Sequence, residues 1–131
     1  MVQRIFKILF IGVFAIHTAG CAAAVVGTAA AAAGTGVWAY GRLHKDIDAS
    51  LTQVYEATLK ALAELELEPT EDRKDRLTAR IRTEFADGAN VWIDLDAITA
   101  NATKMVIRVG VMGDRGRSQQ ILEKTEDNLK K

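Results

Sequence analysis

Two rhythms divide the chain. From Ile8 to Gly41 it carries no charged residue apart from His17, and beyond Gly41 charged and apolar positions interleave closely. In that second part, Arg42 to Ile47 predicts a short strand with Leu43 and Ile47 as its apolar positions. Leu51, Val54, Tyr55, Thr58, Leu62 and Leu65 then recur at helical spacing, behind Asp48 or Ser50 as the N-cap. Pro69 closes this helix and suits only an edge strand or the start of one.

Two alternating runs follow. Leu77, Ala79, Ile81, Thr83 and Phe85 form one apolar row, and Val91, Ile93, Leu95 and Ala97 form another. Register decides the turn between them. A two-residue Asp87-Gly88 loop would set Ile81 against Asp94. A three-residue loop, Ala86-Asp87-Gly88 with Gly88 left-handed, pairs Ile81 with Ile93 and Ala79 with Leu95. The second choice puts both apolar rows on one face. The same reasoning, with Thr99-Ala100-Asn101 as a loop and Asn101 left-handed, pairs Leu95 with Met105, Ile93 with Ile107 and Val91 with Val109. Gly110 to Gly116 ends the sheet, and Ser118, Ile121, Leu122, Thr125 and Leu129 place a second helix. The expected architecture is α+β in two layers, an antiparallel sheet of about four to five strands with two amphipathic helices on one face.

The uncharged start carries the most specific signal. Arg4 and Lys7 precede an apolar run from Ile8 to Ile16, too short for the ~20 residues that span a bilayer. Thr18-Ala19-Gly20 then place small side chains directly before Cys21, the one cysteine of the chain. This is a secretory signal over residues 1–20. A lone thiol at the cleavage junction resembles the bacterial lipobox, in which that thiol receives diacylglycerol. Thr18 departs from the Leu preferred at its position. Cys21 is therefore the expected lipidation site, and the lipid is the expected link to a membrane. Ala22 in the next position, where Asp commonly retains lipoproteins in the inner membrane, favours the outer membrane facing the periplasm.

Residues 21–41 continue as an Ala/Gly-rich stretch, read here as a tether to a domain over 42–131. The alternative is a glycine-zipper-like membrane helix, since small residues let helices approach closely. Gly34 and Gly36 argue against an unbroken helix. Trp38 and Tyr40 are amphipathic rings suited to a headgroup surface, but the expectation is that they pack against the domain that follows.

Composition narrows the function classes. The 131 residues hold 17 basic and 17 acidic side chains, and removal of Arg4 and Lys7 with the signal leaves 15 against 17. That balance gives no basis for nucleic-acid binding, which needs clustered cations opposite phosphates. One cysteine excludes an intrachain disulfide and a cysteine-based zinc site. Asp94 and Asp96 are the obvious acidic pair, but the register sets Asp94 opposite Arg80 and Asp96 opposite Lys104, a compensated ladder rather than an acid–base site. His44, Ser50 and Ser118 have no partners from which a metal site or triad can be built. Gly110, Gly113 and Gly116 match no phosphate-binding fingerprint, and no cofactor motif is present. Arg115 and Arg117, near the second helix start, read as solvated charge. Trp92, set between Arg82 and Arg108, is placed for cation–π contact.

The junction cysteine, the Ala/Gly-rich stretch, Asp48-Ala49-Ser50-Leu51 opening a helix, and Arg108-Val109-Gly110 before Gly113-Asp114 together resemble a bacterial family of short lipoproteins. That family is a domain of unknown function. The resemblance implies an envelope location and a compact α+β domain, and transfers no functional residue except Cys21.

The expectation is a non-enzymatic, lipid-anchored envelope protein with a structural or protein-interaction domain. Its candidate surface is Trp92, Arg82 and Arg108, and its partner is another envelope protein. A small-ligand or lipid carrier with the ligand between helices and sheet is the alternative.

Overall fold

A computed structural model describes residues 36–131. The signal 1–20, Cys21 and the rest of the stretch to residue 35 lie outside the described residues. Alternation builds the sheet: β1 (Val37–Ala39), β2 (Arg42–Ile47), β3 (Glu71–Lys74), β4 (Thr78–Glu84), β5 (Asn90–Thr99) and β6 (Ala102–Val109). Helix α1 (Leu51–Glu64) lies between β2 and β3, and α2 (Arg115–Lys130) follows β6. The strand order is β1-β2-β6-β5-β4-β3, with every neighbouring pair antiparallel.

The fold class is α+β as expected, with six strands rather than four to five. Both additional strands are edges. Glu71–Lys74 has no apolar position and is a strand through its pairing with β4 alone. Val37–Ala39 lies within the stretch read as tether, yet it pairs with β2 through Val37–His44, Trp38–Leu43 and Ala39–Arg42. The sheet therefore starts five residues before Arg42.

Register in the centre follows the apolar rows. Ile81 faces Ile93, and Ile93 faces Ile107; Ala79, Leu95 and Met105 form the next row. Gly88 has φ 86°, and the Phe85 amide donates to the Ala89 carbonyl at 2.9 Å, closing the three-residue turn. The β5–β6 turn differs from expectation. Thr99 pairs with Ala102 across a bulge after Ala97, so the turn is Ala100-Asn101 and Asn101 is not left-handed. Bulging out one residue restores the register that a longer loop would have supplied. Leu77, expected in the apolar row, lies before β4 and is 68% exposed.

Leu43 and Ile47 of β2, Ala79 and Ile81 of β4, Val91, Ile93 and Leu95 of β5, and Met105, Ile107 and Val109 of β6 are buried in one cluster with Val54 and Leu62 of α1 and Ile121 and Leu122 of α2. The described residues belong to one compact unit, and its core draws only on residues from Leu43 to Leu122. Five buried hydroxyls are satisfied locally or across elements. Thr58, Ser118 and Thr125 donate to carbonyls one helical turn back, Thr83 to Glu68 and Thr103 to Ala49.

Caps fix the helix ends. Ser50 accepts from the Gln53 amide while the Gln53 side chain accepts from the Ser50 amide, a capping box. At the other end of α1 the Leu67 amide donates to Leu62 and the Glu66 amide to Ala63, with Leu67 and Leu62 both buried. This is a Schellman motif whose left-handed position holds Glu66, φ 58°, in place of the usual glycine. The β1–β2 turn has a similar irregularity. Tyr40 (φ 51°) and Gly41 (φ 71°) are both left-handed, the geometry of a type I′ hairpin turn, at a cost for Tyr40 of roughly 1–2 kcal/mol.

Candidate interaction face of the sheet

The even-numbered positions of β2, β4, β5 and β6, together with Glu71 and Arg73 of β3, face away from the helices. Across that face run Glu71, Arg82, Trp92 and Arg108 in one row, and Arg73, Arg80, Asp94, Val106 and His44 in the next. Neighbouring strands bring these side chains within reach of one another because facing residues stand about 4.5–5.5 Å apart. Trp92 is half-buried there, and the Arg108 guanidinium lies 5.5 Å from its ring centroid. Arg108 also donates to the carbonyl oxygens of Gly110 (3.3 Å) and Val111, so it braces the loop after β6.

Arg82 departs from expectation. It sits directly opposite Trp92, but its guanidinium donates to Asp94 at 2.8 Å and to the carbonyls of Ile81 and Ile93 at 3.0 Å. A carboxylate two residues along β5 is a stronger acceptor than a ring face. Arg80 adds a longer contact to Asp94, at 3.6 Å. The expected opposition of Asp96 to Lys104 is present, and Lys104 also faces Asp46 on β2.

Arg42, Arg82, Trp92, Asp94, Val106 and Arg108 line a shallow cavity of about 160 Å³ in this face. Three guanidiniums and one carboxylate share its lining, a balance that favours anionic or carboxylate-bearing groups over cations. The layer beneath the helices is different. Leu62, Ile81, Ile93, Leu95, Met105, Ile107, Ile121 and Leu122 fill it with essentially no exposed surface. A wider, open depression of about 640 Å³ lies at the rim, lined by Leu59, Ala63, Leu67, Pro69, Glu66, Glu68 and Asp72.

The remaining sequence candidates are dispersed. Ser50 and Asp114 cap α1 and α2. Arg117 is engaged rather than solvated: it grips Asp87 with two hydrogen bonds (3.1 and 2.6 Å) and stacks on Phe85 at 4.6 Å. The hydrogen bonds that Arg117 donates hold the Asp87 carboxyl below its ordinary range, and the same bonds raise Arg117. Among the described residues no three His, Cys, Asp or Glu side chains are grouped to hold a metal, and no helix is long and apolar enough to cross a membrane. Cys21 lies outside the described residues.

Residues 4–128 match the family described as "Protein of unknown function (DUF3568)". The chain belongs to that family. No curated protein matches it. Membership covers the domain and the segment before it, so the six-stranded sheet and its Trp92 face lie within the matched region, as does Cys21.

The Arg108–Trp92 stack was readable from register, because both residues occupy the same row. Arg42 was not: its place beside Arg108 depends on β2 pairing with β6, a contact between distant parts of the chain with no local signal.

Proposed function

We propose that this chain is a lipid-anchored protein of the bacterial cell envelope, held to a membrane through Cys21. Its domain is non-catalytic and docks another envelope protein through the open sheet face around Trp92, Arg82 and Arg108. The observation that carries the docking reading is a half-buried Trp92 under Arg108 on a face that neither helix of the described residues covers. Trp and Arg are the residues most enriched among interface anchors, and this pair is already fixed in place by Gly110 and Val111. Location rests on the secretory pattern ending at Cys21 and on Ala22, which favour the outer membrane facing the periplasm.

Two experiments test the reading. Labelling with a radioactive fatty acid is expected for the wild type and absent for Cys21→Ser; equal labelling ends the anchoring reading. Crosslinking in the envelope is expected to capture a protein that Trp92→Ala and Arg82→Ala both lose. Capture that survives both changes removes this face from consideration.

A bound small ligand is the second reading. Its one supporting feature is the rim depression beside Pro69, a different position from the layer between helices and sheet.

A further inference from the structure

We propose that Tyr40, Val111 and Met112 form a membrane-contacting tip, so that the domain stands on the bilayer to which Cys21 is attached with its Trp92 face turned sideways. The proposal builds on the reading of Cys21 as the anchor.

The three side chains come from the β1–β2 turn and the loop after β6, which meet at one end of the sheet. Tyr40 is 100% exposed, Met112 89% and Val111 76%. They are mounted on braced backbone. Gly41 and Gly113 touch so closely that a Cβ on Gly113 would fall 2.6 Å from the Gly41 Cα, and Arg108 ties down the carbonyls of Gly110 and Val111. Tyr40 occupies a left-handed position where Asn or Gly fits without strain, and its ring contributes no burial to the fold. A strained, fully exposed aromatic is unexplained by stability and suits a headgroup layer, where an amphipathic ring has both its apolar and polar parts satisfied.

Charge selects this end. Arg42 and Arg115 flank the three side chains, both exposed and neither paired with a carboxylate of the described residues. Asp87 and Asp114 nearby are engaged by Arg117, and the exposed Glu84 and Glu68 of the same end lie toward the β3 edge, away from the three side chains. The opposite end also exposes apolar side chains, Leu77 and Ile98, but carries the exposed carboxylates of Asp46, Asp48, Asp75 and Asp96 beside Lys74, Arg76 and Lys104. An anionic bilayer surface attracts the arginine-flanked end and repels carboxylates.

Length permits the contact. Gly36 follows Cys21 by 15 positions. A link of that length spans roughly 20 Å as a flexible coil and at most about 50 Å when extended. Val37, where the sheet begins, is three residues from the Tyr40 turn, about 10 Å along β1. Both ends of the sheet are within reach, so chemistry rather than tether length decides which one touches.

The test supplies the anchor chemically. Residues 21–131 are coupled through the sole thiol, Cys21, to a maleimide lipid in phosphatidylethanolamine–phosphatidylglycerol vesicles containing a diazirine-bearing phospholipid. After irradiation, adducts are mapped by peptide mass spectrometry. Adducts at Tyr40, Val111 and Met112 are expected to exceed those at Leu77 and Ile98 roughly fivefold, and a Val111→Ser/Met112→Ser variant is expected to lose most of them. The same variant should keep its circular dichroism spectrum and melting temperature, since both side chains are exposed. Equal labelling of the two ends, labelling centred on Leu77 and Ile98, or no adduct in the domain overturns the proposal. Because coupling does not require cellular acylation, its failure is distinct from a failure of the fatty-acid labelling at Cys21.

Discussion

The Tyr55 hydroxyl donates to both carboxylate oxygens of Asp72, at 2.8 and 2.7 Å, and so ties α1 to the outermost strand β3. Burial, then the hydrogen bond and charge of Asp72, push the Tyr55 phenol up to about 12. A folded value above the unfolded one, near 10, means that this stabilisation is complete below pH 10 and is lost as pH rises toward 12. Absorbance titration at 295 nm should show Tyr55 ionising above the ordinary phenol range, and Asp72→Asn should lower its midpoint. Tyr55→Phe should cost about 1 kcal/mol at neutral pH in urea unfolding.

Glu66→Gly should stabilise the domain by up to about 1 kcal/mol, because it relieves a left-handed side chain at the end of α1. The midpoint of urea denaturation would rise with an unchanged slope. A fall would mean that the Glu66 side chain contributes something that its strained backbone conceals.

Gly113→Ala is expected to destabilise by about 2 kcal/mol or more. Its φ of 84° disfavours any side chain, and the new methyl meets the Gly41 backbone. Thermal unfolding measures the loss. Gly110→Ala is the control, since its φ is also positive but a Cβ there meets nothing within 4 Å, so it should cost less.

Asp87 carries a depressed carboxyl through its hydrogen bonds with Arg117. The linkage runs opposite to that of Tyr55: its contribution is present above the unfolded value near 4 and disappears as pH falls through the lower folded value. The difference in melting temperature between wild type and Asp87→Asn should therefore shrink on acidification from pH 6. Asp87 is exposed and Arg117 only half-buried, so added salt should shrink it too.

Sequence pattern carried the centre of the sheet and lost its margins, for a physical reason. Ile81, Ile93 and Ile107 alternate because one face of each central strand is buried, and burial writes a period of two into the residues. Edge strands have no such constraint. Glu71–Lys74 is charged throughout, and the turn after Val37–Ala39 has Tyr40 where Asn or Asp would have announced a hairpin. Leu77 continued the alternation by one residue beyond the point where the core covers it. At the Trp92 face the row was legible and the side-chain choice was not. Register places Arg82 opposite Trp92, but only the position of Asp94 shows which of the two it grips. Tyr40, Val111 and Met112 gave no sign of meeting, because the approach of Gly41 to Gly113 links segments some seventy residues apart.

Strand β1 also has a mechanical meaning. Tension along the chain before Gly36 enters the sheet through three residue pairs, and of the three β1 residues Trp38 alone packs against the core. Peeling β1 and its turn away from β2 would lengthen the link by roughly 15 Å. The load would be spent on that peripheral hairpin before any of it reached Leu43 and the buried rows behind it. Under the proposed anchoring at Cys21, a pull on the chain would therefore open this short pairing first and leave the buried rows intact.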